Sequence, residues 1–480
     1  MDGTAHDAYA MAEREIALLA EWGPRFTGTA AQERLIDHVA GQWSEAGLTV
    51  RTDPHAFTRW DLPAADGLRL SVGGGREVPV SAAFPYSGVT GPAGVTGPAR
   101  LLPGPLPRWS RAKGGIAVVE LRNRPLPFGD LVGVWDDADG WGQEAVPLVP
   151  ATLAGAGLKR ARRAGVRGVV FAWRGISPAN AHDQYIPFTL PYQDIPAVFV
   201  AGDASDTVVA AARSGERATL VLDATLTPDT PTRSIWAAVE GTERPDETIL
   251  VVSHSDGPNT VEENGHIGLV DLARRVAAQP ARRTVVFVLV TGHLRIPALT
   301  DHGQATTRWL RDHPDQWSGR DGGRKAVAGL AIEHLGARQY RDDPKAGRYG
   351  PTGDAEPELL YATTRELKTL VDLEWRGTGP GPTRVSAPGA LVHFGEGEPL
   401  YQHQIPGISL VTAPQYLLSA APGDYVDIDL LLRQTDSFHR LLRRLDTLPT
   451  GRFGTPTAAG PARKATTVGK LLTSYLRPTR

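Results

Sequence analysis

The stretch "ETILVVSHSDGPNTVEENG", Glu247 to Gly265, decides how the chain is read. "TILVV" is an unbroken apolar run, as expected of a strand buried on both faces of a sheet. The run stops at His254. Asp256, Glu262 and Glu263 follow, and then "GHIGLVDLARRVAAQ" takes up helical spacing. Apolar strand, polar turn and amphipathic helix together make the repeating unit of an α/β sheet. Ligands in such sheets collect beyond the carboxyl ends of the strands.

The same alternation extends on both sides. "RRTVVFVLVTGH" (282–293), "AVAGLAIEHLG" (326–336) and "GISLVTA" (407–413) read as strands. "GQATTRWLRDH", "TTRELKTLVDLEW" and the closing "DIDLLLRQTDSFHRLLRRLDTL" read as helices. Residues 233–448 are therefore expected to form an α/β core with a mostly parallel mixed sheet flanked by helices. Residues 1–60 carry helical spacing at Leu35, Ile36, Val39 and Trp43 and join that core. Residues 61–232 differ in character: short strands such as "GIAVVEL", "GVVFAW" and "ATLVLDA" are broken by Gly/Pro turns, which predicts an inserted β-rich domain. The Gly/Pro/Thr-rich, basic segment 449–480 is expected to be a mobile tail with a short helix around Val468–Tyr475.

Composition narrows the function. The 480 residues hold 41% apolar side chains, enough for large cores, with 53 Gly and 39 Pro spread along the chain. A net charge of −2 gives no electrostatic case for nucleic acid or an anionic membrane. No run of about 18 apolar residues and no leader pattern occurs, so a cytoplasmic protein is expected. Many Arg and Ala and few Lys suggest a high-GC bacterial source. With no cysteine, disulfides, thiol catalysis and Cys-bound zinc are excluded, and any metal must rest on His, Asp and Glu. Homo-oligomerisation is left open.

Three strands end in chemistry-bearing residues: His254 and Asp256, then His293, then Glu333 and His334. One polar strand end is commonplace. Three on one rim make a site, and imidazole with carboxylate is what zinc, manganese or iron takes. In "HSD" the His and Asp share a face of extended chain, so Asp256 is expected to accept the second ring N–H of His254 and fix its tautomer. Glu262 and Glu263 serve either as ligands or as acids at a helix start. His334 follows Glu333 directly, so alternation points it to the opposite face.

On these residues the sequence resembles the co-catalytic zinc aminopeptidases, a fold family that also includes glutaminyl cyclases and the non-catalytic ectodomain of transferrin receptor. "WGPRFTGTAAQERLIDHVAGQWSEAGLTV" resembles that family's opening helix, and "LKRARRAGVRGVVFAW…IPAVFVAGD" resembles its protease-associated insert. The resemblance implies His254, Glu263 and Glu333 as ligands of one ion, zinc first and manganese or iron as alternatives, with Asp256 orienting His254. It also implies a departure. The family's Glu-Glu pair, general base and second-metal ligand, is replaced by Gly292 and His293, and its last His ligand by Leu417 and Leu418. One ion is therefore expected, with His293 as its fourth ligand or as the proton carrier. His293, His334 and Glu262 are the candidate catalytic groups. In "LVHFGEGEPLYQHQIPGISL" and "PQYLL", Glu396, His403 and Tyr416 are expected to line the substrate pocket. The implied function is metal-dependent hydrolysis of a peptide, amide or N-acyl bond in a small substrate. The alternatives are single-metal acyl transfer or cyclisation, and a non-catalytic binding protein.

Overall fold

The apolar run before His254 becomes strand β3 (Arg244–His254) of a nine-stranded mixed sheet. The other strands that matter are β1 (Arg51–Asp61), β2 (Thr225–Val239), β4 (Arg283–Val290), β5 (Lys325–Ile332), β6 (Leu360–Ala362), β7 (Val385–Ala387) and β8 (Gly407–Leu410), with Gly133–Val134 at the far edge. Their spatial order is β1-β2-β4-β3-β5-β8-β6-β7. The inner four, β4, β3, β5 and β8, are parallel. β1 and β2 close one side antiparallel, so the sheet is mixed with a parallel centre. The computed structural model describes residues 3–62, 65–104, 107–127, 133–135, 143–144, 147–188, 190–294, 305–377, 385–391 and 393–476.

The centre of the sheet is covered on both faces, which explains the lack of alternation in β3. Ile249 and Val251 enter one core with helices α1 (Gly3–Trp22), α2 (Ala30–Glu45), α3 (Gly265–Ala278) and the closing α5 (Ile428–Thr447). Leu250 and Val252 enter the opposite core with Trp309 and Leu310 of α4 (Ala305–Asp312). All four of these β3 residues are fully buried. Each contributes roughly 1.5–3 kcal/mol by leaving water. Side chains start two of these helices: the Thr29 hydroxyl accepts from the Gln32 amide, and the Asp427 carboxylate accepts from the Leu430 amide at 2.9 Å.

Residues 68–222 build a second, eight-stranded sheet. Its parallel centre is Val95–Leu102, Ile116–Arg122, Gly168–Arg174 and Ala197–Ala201. Phe84, Phe171, Trp173 and Phe199 fill its core. The two sheets meet where the insert's 183–185 backbone lies against 418–420: the Tyr185 amide donates to Leu418 at 2.7 Å, and the Ala420 amide to Asp183 at 2.9 Å. Leu294 and Leu418, both from the first body, are buried in the insert's aromatic core. The contact brings the insert against the rim where β3, β4 and β5 end.

The segment after 449 differs from the expected mobile tail. Phe453 is fully buried beneath the Arg283 guanidinium, and the Thr450 hydroxyl bonds Glu247 at 3.0 Å. A helix, Pro461–Leu476, then spans more than the short stretch expected. Burying one large aromatic ring outweighs the local Gly/Thr composition. Among the described residues, no helix is long and apolar enough to cross a membrane.

Candidate metal centre

The parallel strands deliver their last residues to one rim. His254 ends β3, His293 follows β4 by way of Thr291 and Gly292, and Glu333 with His334 follows β5. Two positive φ angles shape the turns. Gly292 has φ 88° and His334 φ 53°. At Gly292 only glycine takes that conformation freely. At His334 it reverses the alternation, so the ring does not point away from Glu333 as extended chain would require. His334 instead joins His254 and Glu262 in a group of ligand atoms within 4.8 Å of one another; His254, His293 and Glu333 form a second such group. All five side chains are buried.

The ring hydrogen bonds assign the tautomers. His254 donates Nδ1–H to the Asp256 carbonyl at 3.1 Å, and His334 donates Nδ1–H to the Thr412 carbonyl at 2.6 Å. Each Nε2 is then the ring nitrogen left for another partner. Both Nε2 atoms are buried without a hydrogen-bond partner, and so are Glu262 Oε2 and Glu333 Oε2. Burial and the neighbouring rings of His254 and His293 hold the His334 imidazole well below its ordinary pKa, so it is neutral. Four sealed acceptors without a donor would cost about 1–3 kcal/mol each or more. Imidazole Nε2 atoms beside carboxylate oxygens are the donor set of a divalent cation, and Nδ1–H bonded to a carbonyl is how metal-binding histidines are held. The residues present therefore fit a metal ion.

Glu262 and Glu263 separate here. Glu262 Oε1 lies 3.4 Å from His293 Nε2. Glu263, expected as the ligand, is gripped at Oε1 by the buried guanidinium of Arg25, while its Oε2 is buried without a hydrogen-bond partner. It belongs to neither group of clustered ligand atoms. Burial, only partly offset by Arg25, pushes its carboxyl up to about 7. The Asn259 carboxamide oxygen accepts both the Val261 and the Glu262 amides, at 3.0 and 3.2 Å, and so holds the turn that carries both glutamates.

Asp256 also differs from expectation. It orients His254 through its backbone carbonyl, not its carboxylate. The carboxylate accepts the amides of Gly292, His293 and Leu294, at 3.2, 3.2 and 3.1 Å, and the Thr27 hydroxyl at 2.7 Å. It thereby moulds the turn that carries His293.

His293 donates Nδ1–H to Glu396 at 2.6 Å and stacks on His254 with centroids 3.8 Å apart. Burial disfavours its charged form, but Glu262 and Glu396 outweigh burial and raise its pKa well above the ordinary value. Glu396 is held in turn by the Ala305 and Thr306 amides at the start of α4, at 3.2 and 2.7 Å. With His293 beside it, its carboxyl falls to about 2 despite burial. Glu396 is thus a partner of His293, not a pocket wall. His403 packs edge-on against Trp317, and Tyr416 is buried against Tyr425 and Tyr340; neither lines the cleft at the site. That cleft is open to solvent, and Glu262, His293 and His334 form part of its lining.

Several supporting residues were not singled out from sequence. Asn259 also donates to the carbonyls of Tyr416, Leu417 and Ser419, at 3.1, 2.8 and 3.0 Å. Asn264 clamps Leu335 in both directions, at 2.8 and 2.7 Å. Gln32 bonds Ser255 and Thr291, at 3.0 and 2.8 Å. Gly265 lets α3 start against β5, because a Cβ there would meet the Ile332 carbonyl at 2.0 Å. A polar residue inside an otherwise apolar approach to a turn was the available signal, as in "GPNTVEENG".

The mixed sheet with a parallel centre, flanked by helices, is a fold that this chain shares with solved structures of zinc aminopeptidases. The similar solved structures include BSAP, a zinc aminopeptidase from Bacillus subtilis (15% identity, 93% of this chain and 97% of that chain, TM-score 0.62). A peptidase M28 precursor from Shewanella amazonensis SB2B is alike to the same degree (15% identity, 95% of each chain, TM-score 0.62). An aminopeptidase from Aneurinibacillus sp. strain AM-1 matches at 13% identity over 95% of each chain, TM-score 0.60. No family profile and no curated protein sequence matches the chain.

Proposed function

We propose that this protein is a metal-dependent hydrolase of the aminopeptidase-like type, acting on a peptide, amide or N-acyl bond of a small substrate with one metal ion. The observation that carries this reading is the set of sealed, unpartnered atoms: His254 Nε2, His334 Nε2, Glu262 Oε2 and Glu333 Oε2. His254, Glu262 and His334, one of the two clustered groups, would hold the ion with Glu333 beside His254, zinc being the best match to imidazole and carboxylate in a cysteine-free site. A bound zinc ion would supply Lewis acidity, polarising a carbonyl and easing the deprotonation of water.

The protein's own groups then divide the remaining work. His293 lines the cleft and is backed by Glu396, so its Nε2–H can give a proton to the leaving nitrogen, and the neutral ring that results can take one from water. Glu396 holds the ring and stabilises its cationic form. Asp256 sets the height of that ring through three backbone amides. The apolar walls of the cleft exclude water from a bound acyl group.

Elemental analysis of the purified protein, paired with a screen of aminoacyl and N-acyl nitroanilides, tests the reading. About one zinc per chain with turnover of at least one nitroanilide is expected. Protein that neither retains nor takes up zinc, manganese or iron would sink it.

A further inference from the structure

The cleft's walls are apolar well beyond the His/Glu end. Leu148, Ile186 and Phe188 come from the insert, and Phe394, Leu417 and Leu418 from the first body. Two glutamines also face it, each with one end of its amide engaged inside the protein. Gln184 Nε2 donates to the carbonyls of Asn180 and Gln415, at 2.9 and 3.0 Å, and Gln415 Oε1 accepts from Asn180 at 2.7 Å. Among the described lining residues, Glu262 is the one carboxylate. It already faces His293 at 3.4 Å and His254 at 3.9 Å.

A ligand with a free ammonium group would lose its water on entering this cleft and, among the described lining residues, meet a single carboxylate, Glu262, already beside two histidines. An isolated charge pays heavily for that transfer, whereas an apolar group gains. Resting on the amide-hydrolase reading above, we propose that the cleft takes the acyl side of an amide whose acyl group is apolar and uncharged, an N-acylated amino acid or a simple acyl chain, and discriminates against a free α-ammonium. The insert then contributes to specificity, since half of the apolar wall named here is its own.

The test is equilibrium binding by isothermal titration calorimetry, with hydrolysis measured separately. The probes are N-acetyl-leucinamide and leucinamide, on the protein as purified. At pH 7 the acetylated ligand is expected to bind at least tenfold more tightly. The gap should narrow at pH 9.5, where the leucinamide amine, with a pKa of about 8, is neutral. Leu417→Glu, at a partly exposed position of the wall, should raise leucinamide affinity and lower that of the acetylated ligand, with an unchanged melting temperature as the folding control. Equal or tighter binding of leucinamide at pH 7, or binding of neither ligand, overturns the inference. Preferred binding of N-acetyl-leucinamide without turnover of any nitroanilide would sink the hydrolase reading and leave the cleft's preference standing. Faster hydrolysis of leucine nitroanilide than of its N-acetyl form would do the reverse.

Discussion

The carboxylate of Glu396 receives the Nδ1 proton of His293 across 2.6 Å, between two elements 103 residues apart in sequence. The pairing turns a lone buried imidazole into a backed one. Glu396→Gln leaves an acceptor but removes its charge. Turnover is expected to fall roughly 10–100-fold with KM nearly unchanged. Zinc content should stay the same. A variant that loses its zinc would show instead that His293 is a ligand.

Glu262 and Glu263 are adjacent in sequence, yet only Glu262 faces the histidines. Glu262→Gln should lower the zinc stoichiometry of purified protein well below that of the parent, while Glu263→Gln should retain zinc. Elemental analysis of the two proteins side by side decides it. The reverse order of zinc contents would restore Glu263 as the ligand.

Arg25 and Glu263 are both buried, so removing one partner leaves the other charge uncompensated. Arg25→Met is expected to cost about 3–5 kcal/mol, and the double variant Arg25→Met with Glu263→Gln should recover much of it. Denaturant unfolding of the single and double variants gives the coupling. Strict additivity would mean the pair contributes nothing jointly.

Metal removal provides a further check. A cation bound to the folded state alone stabilises by about 4 kcal/mol at a thousandfold excess over Kd. Dialysis against a chelator should lower the melting temperature, and added zinc should restore it. His254→Ala protein should melt alike with and without zinc.

The contact of α1 with the core carries a pH signature. Glu15 bonds His38 at 2.9 Å and faces His266 at 3.7 Å. Burial opposes its ionisation, but the two histidines outweigh burial and hold its carboxyl below the ordinary 4.5. The bond to Glu15 raises the pKa of His38 above 6.5. A lowered carboxyl contributes stability above pH 4.5 that is lost as pH falls through its folded value. A raised imidazole contributes below pH 6.5 and fades as pH rises through its folded value. The parent's advantage over Glu15→Gln should therefore be largest between about pH 4.5 and 6.5, at roughly 1–3 kcal/mol, and smaller on either side. Melting curves from pH 4 to 8 measure it; a difference that does not vary with pH would contradict the assignment.

Much of this was legible in the chain. "TILVV", "TVVFVLV" and "GLAI" announce buried parallel strands because both faces must be apolar, and the α/β class follows. His254, Glu333 and His293 were visible as polar residues at the ends of such strands. Less legible were directions. His334 reads as pointing away, but its φ of 53° turns it in. Asp256 reads as the carboxylate partner of His254, but three amides of another turn claim it. Tyr416 and His403 sit in motifs near the site, and packing draws both elsewhere.

Local sequence by itself determined the elements, the absence of sulfur ligands and the rim on which the polar residues gather, because periodicity and composition act within a few residues of each position. Tertiary structure alone decided which oxygen and nitrogen atoms meet. Arg25 reaches Glu263 across 238 positions and Glu396 reaches His293 across 103. Such pairings depend on how strands and turns stack in space, and no local pattern encodes them. They set Glu262 at the end of an apolar cleft, while Arg25 holds one carboxylate oxygen of its neighbour Glu263.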